Sequence, residues 1–176
     1  ISPEARKTAE SRIEVLSFEP RHPFPTAWYH KPFVLADSPF SHTLFLDLDC
    51  EVRAPVDELL GWSAHGLVLG RDRHPMRAYR KLFRRDHFFN SGVVATARSN
   101  PVVGLWCEAT LRLYRELRGD QEILNLVLLE HELPVVALPE HYHQLRLDGD
   151  HPDARIMHWT GPAGKDMIRH QMRTDG

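Results

Sequence analysis

Two aspartates close an apolar run in Leu44-Phe45-Leu46-Asp47-Leu48-Asp49. Side chains alternate along a strand, so Asp47 and Asp49 project to one side if the strand continues through them. Two carboxylates brought together with no Lys or Arg beside them in sequence repel each other. A hard divalent cation taking oxygen ligands relieves that repulsion. The plainer alternative is a pair of turn or capping carboxylates at a strand end. Asn90-Ser91-Gly92 interrupts a second apolar run and offers an amide, a hydroxyl and an unencumbered backbone to a polyhydroxylated ligand. A bulge or turn whose polar groups satisfy one another is the competing reading. Asp120-Gln121 opens an amphipathic stretch, where Asp120 serves equally well as a helix cap. Last comes His158-Trp159-Thr160-Gly161-Pro162-Ala163-Gly164-Lys165. Its imidazole can complete a divalent site with two carboxylates, and its glycine-rich turn ending in lysine can hold a phosphate. Most of the 12 histidines must be surface or structural.

These residues need a scaffold, and short apolar runs alternating with amphipathic stretches point to a layered α/β sheet. A first strand is expected over 12–18, with Ile13 and Val15 inward, followed by a helical stretch over 26–36 that Pro32 interrupts. The fully apolar run over 43–48 reads as a strand buried on both faces of a largely parallel sheet, whose carboxyl end is where open α/β sheets bind ligands. Further strands are expected over 66–69, 88–95, 133–138 and 154–159. Asn100 ahead of Pro101 starts a helix whose Val102, Leu105, Trp106, Ala109 and Leu113 recur at the helical period, with Gly119 ending it. Asp120 then caps a second helix to about 130, with Ile123, Leu124, Val127 and Leu128 as its buried stripe. With no repeat and no low-complexity linker, residues 1–176 read as a single domain.

Composition agrees. A chain of 176 residues with 42% hydrophobic and 26% charged residues buries a real core, and disorder and coiled coil fit poorly. A net charge of −2 gives no global case for nucleic acid or an anionic membrane as partner. No segment has the roughly 18–20 apolar residues of a membrane span. Cys50 and Cys107 are too few for a disulfide framework and fit a reducing, cytoplasmic setting. One stretch departs from the average: residues 71–85 carry a local charge of +6 in a chain whose remainder carries −8. Met76, Tyr79 and Phe83 follow helical spacing there. Its Arg77, Arg80, Lys81 and Arg84 form either a solvated helix face or a site for an anionic acceptor or the inner membrane surface. Ile1-Ser2-Pro3 has neither an initiating Met nor an apolar signal core, so the chain reads as trimmed.

In this order the four features resemble the retaining nucleotide-sugar glycosyltransferases of the glycogenin and bacterial lipopolysaccharide galactosyltransferase type, over roughly 28–165. The resemblance implies a GT-A-like, Rossmann-like sheet, mixed but mostly parallel, flanked by helices. It implies that Asp47, Asp49 and His158 hold Mn2+ or Mg2+ on the diphosphate of a UDP-sugar. Asn90, Ser91 and Gly92 would line the donor sugar, and Asp120 and Gln121 would face the sugar and its anomeric carbon. Gly161 and Lys165 would contact the diphosphate, and Lys31, sixteen residues before Asp47, would also touch the donor. The activity implied is hexose transfer to a glycan, a lipid-linked acceptor or another hydroxyl, as in polysaccharide biosynthesis.

Two departures stand out. The family places a lysine six residues after the histidine, where this chain has Gly164, and Lys165 comes seventh. Family members also carry a longer nucleotide-binding segment ahead of the aspartate pair, whereas 46 residues precede Asp47 here. A degenerate sugar- and metal-binding module is therefore one alternative. A haloacid-dehalogenase-like phosphatase is another, since it too ends an apolar strand in Asp-x-Asp. Its usual Thr or Val is replaced here by Glu51, and it leaves Asn90-Ser91-Gly92 and His158 without a task.

Overall fold

The computed structural model of the protein describes residues 18–20, 22–75, 79, 83 and 87–174. The strand expected over 12–18, apart from Phe18, and the basic residues Arg77, Arg80, Lys81 and Arg84 lie outside the described residues.

A 3-10 turn, Ala27–His30, leads into helix α1, Lys31–Ala36. Pro32 does not interrupt this helix. It sits in the first turn, where its missing N–H would have had no partner. Strand β1 is His42–Leu46, β2 Cys50–Val52, and the short helix α2 Glu58–Trp62. Strands β3, Leu67–Arg71, and β4, Phe89–Ala97, come next. Helix α3, Pro101–Leu113, starts where the sequence predicts, with the Asn100 side chain accepting from the Val102 N–H at 3.0 Å. It ends at Leu113 rather than Gly119. Gly119 instead stands at the N-cap of α4, Asp120–His131, and Asp120 is its first helical residue, not its cap. Strand β5, Val135–Ala137, a 3-10 turn Glu140–Tyr142, and strands β6, Gln144–Leu145, and β7, Ile156–His158, complete the sheets before helix α5, Gly161–Thr174. The glycine-rich segment after His158 is thus a helix start rather than an open turn.

One sheet has the order β1-β4-β3-β5 and the other β2-β7-β6. The α/β class and the mixed sheet with flanking helices are as expected. The largely parallel character is not: among the described residues, β1–β4, β3–β4 and β2–β7 are antiparallel, and β3–β5 and β6–β7 parallel. The run over 43–48 is also less covered than expected: β1 lies at an edge of its sheet with every residue only half-buried, and Leu48 falls in the turn beyond it, 96% exposed. Leu67, Leu69 and Val94 point into one apolar layer with Trp106, Ile123 and Leu124, while Val68, Val93 and Ala95 point into the other with Leu59 and Ile156. Fully burying such side chains contributes roughly 1.5–3 kcal/mol each. The predicted stripe of α4 is buried in the first layer.

The feature that shapes the site is an irregularity in β4. Leu69 pairs with Val94 but Gly70 pairs with Asn90, one step on β3 against four on β4. Ser91, Gly92 and Val93 therefore bow away from β3 while β4 stays paired to β1, Leu46 opposite Val93. No helix among the described residues is long and apolar enough to cross a membrane.

Candidate functional site

Strand β1 ends at Leu46, so Asp47 and Asp49 are not strand neighbours. A tight turn brings them together instead, with the Cys50 N–H donating to the Asp47 carbonyl at 2.9 Å. The turn is pinned on both sides. The Asp47 N–H reaches the Gly92 carbonyl at 2.8 Å, and the Trp159 N–H reaches the Asp49 carbonyl at 2.8 Å. Register between β2 and β7 sets Cys50 opposite His158, which brings the imidazole over the turn. His158 Nε2 lies 3.2 Å from Asp49 Oδ1 and 4.0 Å from Asp47 Oδ2. Ligand atoms of the three residues lie within 4.8 Å of one another, a spacing at which they could hold a metal ion. Two carboxylate oxygens and one imidazole nitrogen are a donor set for a divalent cation.

The carboxylates are less isolated than their sequence neighbours suggest. Lys31 is 5% exposed, and its ammonium lies 3.0 Å from Asp47 Oδ1 and 3.1 Å from Asp120 Oδ2. It also donates to the Ser91 carbonyl at 2.9 Å and hydroxyl at 3.2 Å, so its protons are all taken inside the protein. The Ser91 hydroxyl donates in turn to Asp120 at 2.8 Å. Burial alone would lower the Lys31 pKa, but Asp120 and Asp47 outweigh it and hold the amine above its ordinary value. Burial raises the Asp120 carboxyl, with Lys31 and Ser91 pulling the other way. At Asp49 burial is outweighed by His158 and Lys165, and the carboxyl is held below its usual range. Lys165, in the first turns of α5, has its amine 3.8 Å from Asp49 Oδ2. Gly161 opens that helix at φ 79°, a left-handed conformation that glycine adopts without strain.

Gly92 shows why a strand would carry a glycine here: a Cβ at this position would run into the His158 ring. Gly164 answers the departure in lysine spacing. A side chain there would strike the Trp159 backbone, so the lysine one position on is the one that turns towards Asp49.

Solved structures similar to this chain include several glycosyltransferases. Mouse xyloside xylosyltransferase 1 in its apo form superimposes with a TM-score of 0.52 at 17% identity, covering 74% of this chain and 62% of that one. GlyE of Streptococcus pneumoniae TIGR4 gives 0.54 at 18%, covering 74% and 37%. The bifunctional glycosyltransferase WbbM gives 0.57 at 17%, covering 81% and 33%. The chain shares their GT-A-type fold. It spans about a third to three-fifths of their lengths. No protein-family model matches the sequence, and no curated protein does.

Two residues of the site were missed in the sequence. Asp72, 8% exposed, accepts from Gln121 Nε2 at 2.9 Å and from Asn90 Nδ2 at 3.4 Å, joining two predicted site residues that otherwise lie on different elements. Gln121 Oε1 takes the Ser91 N–H at 3.2 Å, and Asn90 Oδ1 takes the Gly92 N–H at 2.8 Å. Asp72 is the single acid in a run of bases, and that isolation was its only sequence signal. The other is His143, which bonds His158 and is one histidine among 12. A separate groove of about 670 Å³, lined by Phe89, Leu128, Leu133 and Val135 among others, contains none of these predicted residues.

Proposed function

We propose that this chain carries the donor site of a metal-dependent glycosyltransferase, moving a hexose from a UDP-sugar to a hydroxyl of a glycan or lipid-linked acceptor. The observation that carries the reading is the convergence of Asp47, Asp49 and His158 on a GT-A-type fold. In this reading Asp47 Oδ2, Asp49 Oδ1 and His158 Nε2 hold Mn2+ or Mg2+. When bound, the ion supplies Lewis-acid neutralisation of the charge that builds on the departing nucleoside diphosphate. Lys165, beside Asp49, and the N-terminal amides of α5, beginning at Gly161, would stabilise that charge. Asp120 and Gln121 are the groups assigned to the anomeric carbon, with Asn90, Ser91 and Gly92 lining the sugar. Lys31 supports the site as the counter-charge between Asp47 and Asp120 rather than through a free N–H.

Calorimetric titration with UDP, with and without Mn2+, tests the reading. UDP binding that needs Mn2+ and is abolished by Asp47→Asn is the expected result. UDP binding indifferent to Mn2+, or none at all, refutes it, and metal-dependent binding with no transfer from any UDP-hexose leaves a binding module.

A further inference from the structure

We propose that His143 is the residue that aims His158: it holds the Nδ1 edge of that ring and so presents Nε2 to Asp47 and Asp49. The inference rests on the metal site proposed above, although not on transfer activity. His143 Nε2 lies 3.0 Å from His158 Nδ1, and the two rings stack with centroids 5.2 Å apart and planes 18° from parallel. Both are buried, at 5% and 4% exposure. His143 Nδ1 has no partner among the described residues, so the bond to His158 is the only one this side chain makes there.

The fold makes room for the pair deliberately. A Cβ on Gly70 would run into the His143 ring and a Cβ on Gly92 into the His158 ring. The two glycines lie on either side of the gap that opens where β4 bows away from β3, one under each imidazole. Backbone register fixes the rest. His143 leads directly into β6, whose Leu145 pairs with His158 in parallel, and its N–H is held by the Glu140 carbonyl at 3.1 Å.

The chemistry follows from imidazole's two nitrogens. His158 can offer the Nε2 lone pair to a cation only while its proton sits on Nδ1, and His143 Nε2 is the acceptor placed to receive that proton's hydrogen bond. Without an acceptor the ring loses both its preferred tautomer and its orientation. Outer partners of this kind change metal affinity by about 10–100-fold when removed.

The test compares His143→Leu, which fills the space without an acceptor, with His143→Gln, whose amide oxygen reaches about where Nε2 stands. Mn2+ titration of the intact chain should show binding at least about tenfold weaker in the leucine variant and restored to within about threefold by glutamine, with both melting near the wild type. Long-range proton–nitrogen spectra of the metal-free protein should show a protected ring proton coupled across the bond between the two histidines. That coupling should be gone in His143→Leu. Leucine binding Mn2+ as tightly as wild type, or glutamine as weakly as leucine while still folded, overturns the proposal. If the wild type takes no Mn2+, the transferase reading fails. The metal-free spectra then decide His143 alone, a His158 ring unchanged by leucine refuting it. Should the leucine variant not fold, absence of coupling between the rings in the wild type refutes it equally.

Discussion

Replacing Lys31 by methionine keeps its volume and removes the buried cation on which Asp47, Asp120 and Ser91 converge. Asp47 is about a third exposed and can recruit water, but Asp120 is 6% exposed and would be left as an uncompensated buried charge. Breaking a buried pair from one side costs about 3–5 kcal/mol. In a domain of this size each kcal/mol is worth about 2–4 °C, so melting should fall by about 6–20 °C. The pH dependence carries a sign. With the ammonium gone, the Ser91 hydroxyl is left to oppose burial at Asp120, whose folded pKa then stands further above the unfolded value of about 3.9. A group of that kind takes stability away as pH rises past the unfolded value, so the deficit should be larger at pH 8 than at pH 5. In the wild type the sign at Lys31 is that of a raised cation: its contribution is present below about pH 10.4 and lost as pH climbs through the folded value. Adding Asp120→Asn to Lys31→Met removes the stranded charge and should recover most of the loss. Urea unfolding followed by circular dichroism at both pH values measures all of this. A Lys31→Met protein within about 1 kcal/mol of wild type, or a double variant no more stable than the single one, would refute the buried hub.

Gly92→Ala pushes a methyl into the His158 ring, and overpacking of this kind costs about 1–3 kcal/mol. Displacing the ring should also weaken Mn2+ binding, and an alanine variant with wild-type Mn2+ affinity by calorimetry counts against the packing argument. Asn100→Ala removes the cap on the Val102 N–H at the start of α3, which takes no part in the site. It should cost about 1 kcal/mol and leave both UDP and Mn2+ binding unaltered, as a thermal melt and a titration would show.

How much of this was legible depended on how local each signal is. The cap at Asn100, the stripes of α3 and α4, and the apolar run of β1 are written in adjacent residues, and all appear in the structure. The direction of β1 was not legible, because an apolar run does not tell a parallel neighbour from an antiparallel one, and here it belongs to a half-buried edge strand. Gly92 was readable as a bulge or a close approach and is both, but what approaches it comes from 66 residues later. The segments containing β2, α2 and β6 gave no signal: strands of two and three residues and a helix of five are too short for a period to register. Asp120 looked like a cap because helix starts favour aspartate, and only the tertiary partners Lys31 and Ser91 draw its carboxylate away from the helix backbone.

Charge supplies an independent argument for the metal reading. The connected network holds four carboxylates, at Asp47, Asp49, Asp72 and Asp120. Among the described residues two ammonium groups face it, Lys31 between Asp47 and Asp120 and Lys165 beside Asp49. Burial makes an excess of negative charge costly, and a protein relieves it by protonating a carboxyl or by binding a cation. The Asp49 carboxyl is held below its usual range, so protonation is resisted where the carboxylates meet His158. A divalent ion offsets that excess, and Asp47 Oδ2, Asp49 Oδ1 and His158 Nε2 are the atoms Lys31 and Lys165 leave free for it.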